Sequence, residues 1–166
     1  MPVAQKSGKL LAQRIYEAKK GEMSKDQILG LYNMDYSHIP TTIFSTNEYS
    51  YIGKNEEEAI KERGEEHIEI YQKEVTPLES SICSHSKATA FMKVICDKEK
   101  DDLVIGMHYL GPSAGEVING FALGMKLGMR KVDLDDTVGI HPTVSENMLN
   151  LDVTKKSGES FEQTDC

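Results

Sequence analysis

The sequence predicts an α+β domain: a largely antiparallel sheet flanked by helices. Three observations carry this expectation. Two β-patterned runs, "TAFMKVICDK" (89–98) and "DLVIGMHYLG" (102–111), are joined by a short charged turn, "EKDD", which is the pattern of an antiparallel hairpin. Upstream of it the order is strand, helix, strand. Downstream, helical spacing takes over, in "SAGEVINGFALGMKLGM" (113–129) and then in the shorter "VSENMLNL".

Taken in order, "KLLAQRIYEAKK" (9–20) places Leu10, Leu11, Ile15 and Ala18 at helical spacing, with Pro2 just inside the start. Residues 1–20 therefore read as a helix detached from the main domain. Residues 21–38 are polar and interrupted, an insertion or linker with a short helix at Lys25–Leu31. "IPTTIFST" (39–46) is β-branched and aromatic, a strand. "NEEEAIKERG" (55–64) has an Asn N-cap, an acidic first turn and a closing Gly64, the signature of a helix. "HIEIYQKEV" (67–75) alternates as a strand does. In the long helix, Ser113 and Glu116 have capping-box spacing, and Gly120, Gly124 and Gly128 require close packing to compensate their low propensity. "VDLDDTV" is a short turn or helix. The main domain spans 39–152, and 153–166 is a polar, flexible tail.

The 166 residues suffice for one hydrophobic core, and 39% apolar with 28% charged residues fits a soluble globular chain. A balance of 27 acidic to 19 basic residues, net −8, argues against nonspecific binding to nucleic acid or to an anionic membrane. No apolar run approaches the roughly 20 residues needed to span a bilayer, and the N-terminus lacks a signal-peptide core. Cytoplasm is the expected compartment, with a mitochondrial location as the alternative. Three cysteines form no disulfide framework: Cys83 and Cys96 read as buried or half-buried thiols, and Cys166 as an exposed thiol in a polar tail.

The stretch "GIHPTVSEN" (139–147) carries the chemistry, if any does. Thr143 and Glu146 have capping-box spacing, which makes Glu146 a helix cap and His141 a loop residue. The same residues also suit a proton-transfer pair. An imidazole titrates near neutral pH, and a carboxylate on one ring nitrogen fixes the tautomer of the other. The two accounts compete for Glu146, and spacing alone favours the cap. His108 lies in a strand, and His38, His67 and His85 lie in polar stretches. None has metal-ligand spacing, so no metal is expected. "GPSAG" (111–115) lacks the lysine and glycine pattern of a phosphate loop and reads as a turn into the helix.

Taken together, "GMHYLGPSAGEVINGFALGMKLG" and "VGIHPTVSEN" resemble the C-terminal dimerisation domain of the flavin-dependent pyridine nucleotide–disulfide oxidoreductases. "MPVAQKSGKLLAQRIY" resembles the last helix of that family's flavin domain, and "IPTTIFSTNEYSYIG" its first interface strand. The tail "VTKKSGESFEQTDC" is similar to that of the large thioredoxin reductases, whose ending is Gly-Cys-selenocysteine-Gly. Asp165 stands where a glycine is usual, and Met1 where a threonine is.

The resemblance implies a homodimeric parent enzyme in which NADPH reduces FAD, FAD reduces a cysteine pair, and that pair reduces the partner subunit's tail, which in turn reduces thioredoxin. It implies His141 as the acid–base group, Glu146 as its orienting carboxylate and Cys166 as the tail thiol, with selenocysteine expected after it. Pro2, Val3 and Ala4, with His141 and Pro142, match positions that approach the flavin. The flavin fingerprint, cysteine pair and NADPH domain are not among these residues, so complete cofactor binding is not expected, and the isolated chain is expected to be inactive. A noncatalytic dimerisation fragment or degenerate copy is the rival reading. A glutathione reductase-like parent is a weaker one, against which the tail argues.

Overall fold

The computed structural model describes residues 1–78, 80 and 90–161. The chain divides into two units, Met1–Ile39 and Pro40–Cys166. The first holds α1 (Pro2–Lys20) and α2 (Lys25–Tyr32). Pro2 opens α1, where its missing N–H has no partner to lose, and Gly21 closes it with a left-handed φ of 74°. Ser24 and Gln27 cap α2 reciprocally.

The second unit is built on five strands: β1 (Thr41–Ile43), β2 (Tyr49–Gly53), β3 (Ile68–Val75), β4 (Ala90–Asp97) and β5 (Leu103–Leu110). Their order across the sheet is β1-β2-β5-β4-β3, and every pairing is antiparallel. The hairpin expected from the two apolar runs is β4–β5, closed by a short 3₁₀ turn at Lys98–Lys100. The single strand expected over 39–46 is instead the first half of a second hairpin. The backbone turns at Ser45, whose N–H bonds to the Ile43 carbonyl, and Thr41 pairs with Tyr51. Gly53 and Gly106 face each other across β2 and β5. A Cβ on Gly53 would meet the Ile105 carbonyl oxygen at 2.2 Å, so the close approach demands glycine.

Side chains alternate between two covered faces. One carries Ile52, Met92, Val94, Met107 and Tyr109, all with no solvent exposure. Against it pack α4 (Ala114–Lys126), α5 (Lys131–Asp135) and a 3₁₀ segment, Val144–Leu149. The other carries Ile68, Ile70 and Ile95 under Ala59 of α3 (Glu56–Arg63). Helices thus lie on both faces. The acidic start, Asn55–Glu58 capping box and terminal Gly64 of α3 are as its sequence specifies.

Three local expectations differ. Ser113 does not cap α4: it sits at φ 54° with no side-chain cap bond, and the Gly115 N–H instead donates to Glu48 Oε2 at 3.4 Å. Of the helical glycines, Gly124 has a packing reason, because a Cβ there would meet Met129 Sδ at 2.8 Å, whereas Gly120 faces open space. Residues 144–149 form a 3₁₀ segment and not an α-helix. Asn147 and Asn150 side chains donate to the Val144 and Glu146 carbonyls, and the tighter turn drops Met148 and Leu149 into the core together.

Candidate functional site

The site begins with the backbone between α5 and the 3₁₀ segment. The His141–Pro142 peptide is cis. Thr143 adopts an extended conformation as N-cap: its hydroxyl donates to the Ile140 carbonyl at 2.6 Å and accepts from the Glu146 N–H at 3.3 Å. The capping box is completed from the other side, where Glu146 Oε1 accepts from the Thr143 N–H at 3.3 Å. The same oxygen lies 3.0 Å from His141 Nδ1. One carboxylate therefore caps the turn and holds the imidazole, and the two roles that compete in the sequence coexist in the structure.

A carboxylate only accepts, so the Nδ1 facing it carries a hydrogen and Nε2 is the nitrogen left to take or give a proton. The pair is asymmetric in exposure. The His141 side chain is 79% exposed and that of Glu146 23%. The carboxylate is set into the fold, while the imidazole projects from it.

Two hollows meet at this turn. One, of about 500 Å³, is bounded by His141, Pro142, Val144 and Asn147 on one side and by Lys73, Val75 and Pro77 on the other. The second, of about 380 Å³, lies behind Glu146 among Val117, Phe121, Val138 and Ile140. Ile140 is 76% and Val138 93% exposed, an apolar loop presented outward next to the histidine.

Gly139, which sequence reading passes over, supports the pair directly. A Cβ there would fall 2.7 Å from Glu146 Cβ and 3.3 Å from Leu149 Cδ1. Only its place two residues before the histidine could have drawn attention to it.

The other described histidines, His108, His67 and His38, have structural surroundings. His108 is buried in β5, its Nε2 3.0 Å from the Lys54 carbonyl and its Nδ1 2.7 Å from the Tyr49 hydroxyl. The carbonyl requires Nε2–H, so Tyr49 donates to Nδ1. Burial holds this imidazole below its ordinary pKa, and the Lys54 carbonyl bond opposes that only in part. His67 lies near Glu66 and Glu99, and His38 near Ser37 and Asp35. No group of three His, Cys, Asp or Glu side chains that could hold a metal occurs among the described residues. Cys96 is fully buried, and burial pushes its thiol up to about 12. Cys83, His85 and Cys166 lie outside the described residues.

Pro2, Val3 and Ala4 form the first turn of α1, in the first unit. The "GPSAG" turn joins β5 to α4, and Glu48 occupies the amide end of that helix where a phosphate would have to bind. The tail expected from residue 153 begins with a docked stretch, in which Val153 and Phe161 carbonyls accept from the Gln72 and Glu74 N–H groups of β3.

Residues 39–151 match the family model described as pyridine nucleotide-disulphide oxidoreductase, dimerisation domain. The chain is 44% identical over 165 residues to "Thioredoxin reductase SEP1" of Emiliania huxleyi, a match covering 99% of this chain and 31% of that protein. It spans about a third of that relative's length. Among solved structures, a Cu(II) complex of the HOCl-induced flavoprotein disulfide reductase RclA of Escherichia coli, in a cysteine-to-serine mutant form, superposes with a TM-score of 0.60. That match has 24% identity and covers 76% of this chain and 29% of the other. It shows the fold. No helix among the described residues is long and apolar enough to cross a membrane.

Proposed function

We propose, from the premise that this chain belongs to the pyridine nucleotide-disulphide oxidoreductase family as a dimerisation domain, that it serves an NADPH-dependent thioredoxin-disulfide reductase in which His141 moves protons. One observation carries this reading: the bond from His141 Nδ1 to Glu146 Oε1 at 3.0 Å, with the imidazole itself held out over a cleft.

Thiol–disulfide exchange needs such a group. A thiolate attacks one sulfur of a disulfide, a new S–S bond forms as the old one breaks, and the departing sulfur leaves as a thiolate. His141 Nε2 takes the proton from the attacking thiol and returns it to the departing one. Glu146, already fixed by the Thr143 N–H, keeps the ring in the tautomer that can do this and stabilises the transient imidazolium.

The reading makes the parent a homodimer, with the exposed Val138–Ile140 loop reaching a second subunit, Cys166 as a tail thiol and thioredoxin as substrate. FAD and NADPH, bound by the parent, supply the electrons. The glycine-bearing strand-to-helix turn does not fit a nucleotide phosphate, since it has a carboxylate at its amide end. What this chain contributes is proton handling, and its proposed location is the cytoplasm, with a mitochondrion as the alternative.

The test is His141→Gln in a full-length parent. Turnover is expected to fall by about 10²–10⁴-fold while the folded domain is retained. Unchanged turnover removes the proton-transfer role. NADPH-dependent disulfide reduction by the isolated chain would overturn the view that its site needs the rest of the enzyme.

A further inference from the structure

After Leu151 the chain leaves the core and runs onto the outer edge of β3, the last strand of the sheet. There it is held at three places. First, the Gln72 N–H donates to the Val153 carbonyl at 3.0 Å, and Thr154 makes a β-bridge to Tyr71. Next, Lys156 Nζ turns inward and donates to the carbonyls of Glu65 at 2.6 Å and Ile68 at 2.9 Å. Its neighbour Lys155 pairs with Glu56, a carboxylate that Lys93 also holds at 3.0 Å. Partial burial pulls the Glu56 carboxyl upward, and the two lysine bonds outweigh it, leaving the group below the ordinary carboxylate range. Finally the chain doubles back. The Glu74 N–H donates to the Phe161 carbonyl at 2.8 Å, and the Phe161 ring meets Phe91 edge-on with centroids 6.0 Å apart.

The return point matters because Glu74 adjoins Val75, Thr76 and Pro77, which form the far wall of the His141 cleft. We infer that residues 153–161 are an anchored stem which delivers the chain to the rim of that cleft, with Lys156 and Glu56 as its positioning residues. The inference rests on the proposed redox role of the tail and adds an anchor for it at Phe161. Cys166 stands five residues further on, a span of at most about 16–18 Å for extended chain. A tail loose from residue 153 would search a far larger volume. Anchoring shortens the stretch between the last held residue and Cys166, which lowers the entropy lost on engagement.

Amide hydrogen exchange on the whole chain tests this without flavin or substrate. The Gln72 and Glu74 N–H groups, on an edge strand, are expected to exchange slowly because the stem accepts from them. Lys156→Met and Glu56→Gln should each speed both by about tenfold, while Met92 and Met107 in the sheet centre stay protected. Phe161→Ala should release Glu74 and spare Gln72, and it decides the matter if the lysine variant does not fold. Unprotected Gln72 and Glu74 in the unaltered chain, or unchanged exchange in Phe161→Ala, would overturn the stem. Protected amides together with full turnover of a His141→Gln parent would sink the functional reading and keep the stem.

Discussion

Gly139 lies against Glu146 so closely that a methyl group on it would sit 2.7 Å from the Glu146 Cβ and 3.2 Å from its Cα. The backbone before the histidine therefore acts as a stop that sets the depth of the carboxylate. Gly139→Ala should push Glu146 off its shared bond and cost about 1–3 kcal/mol of stability through overpacking. In a full-length parent it should also lower turnover, although the residue bears no reactive group. A thermal melt with steady-state rates checks both, and an alanine variant with native melting and turnover would show that the contact yields freely.

The double use of Glu146 Oε1 separates two neighbouring substitutions. Thr143→Ala removes the hydroxyl cap and should cost about 1 kcal/mol, leaving the Glu146–His141 bond in place. Glu146→Ala removes the reciprocal cap and the imidazole's partner together. Its loss of stability should be similar and its loss of turnover in the parent far greater. Equal effects of the two on turnover would mean that Glu146 acts only as a cap.

His108 gives the fold a defined acid sensitivity. Burial favours its neutral form, so its folded pKa lies below the unfolded value of about 6.5. The unfolded chain then binds the proton more readily. Stability from this group is complete above about pH 6.5 and is lost as pH falls below it, down to the folded pKa. Protonation also puts a hydrogen on Nδ1, which already faces the donor hydroxyl of Tyr49. Melting temperatures between pH 7 and pH 5 should fall less steeply in His108→Asn than in the unaltered protein. Identical slopes would remove His108 as the cause.

Cys96 is expected to be chemically silent. It is fully buried, with its thiol pushed up to about 12, so the thiolate fraction at neutral pH is negligible. Peptide mapping after native alkylation should find Cys96 unmodified, and alkylation should occur only upon unfolding. Rapid native labelling there would contradict the packing of β4.

What the sequence discloses is what depends on near neighbours. The β4–β5 hairpin is visible because both strands and their turn are contiguous, and α3 because Asn55, Glu58 and Gly64 each act within a turn of the helix. The β1–β2 turn is less visible, since β-prone residues lie on both sides of Ser45–Glu48 and only the pairing of Thr41 with Tyr51 reveals the reversal. What meets the start of α4 is invisible for a different reason: its amide end is met by Glu48, remote in the chain. The site divides the same way. His141 and Glu146 are singled out by the resemblance and not by spacing, and whether one oxygen can serve both cap and ring is a matter of angles that no spacing encodes. The docking of 153–161 is hidden by polarity, because Lys156 and Ser157, which read as part of a solvated tail, here spend donors on backbone carbonyls.

The edge of β3 carries a last consequence. An uncovered edge strand is an open template onto which another chain can add, and the amides of Gln72 and Glu74 would form such a template were residues 153–161 not lying along it. A chain cut after Asp152 should therefore gain a tendency to self-associate strand to strand, seen as concentration-dependent growth in light scattering. Residues 153–161 would then act as a chain terminator for the sheet, making it finite as well as positioning the thiol beyond them.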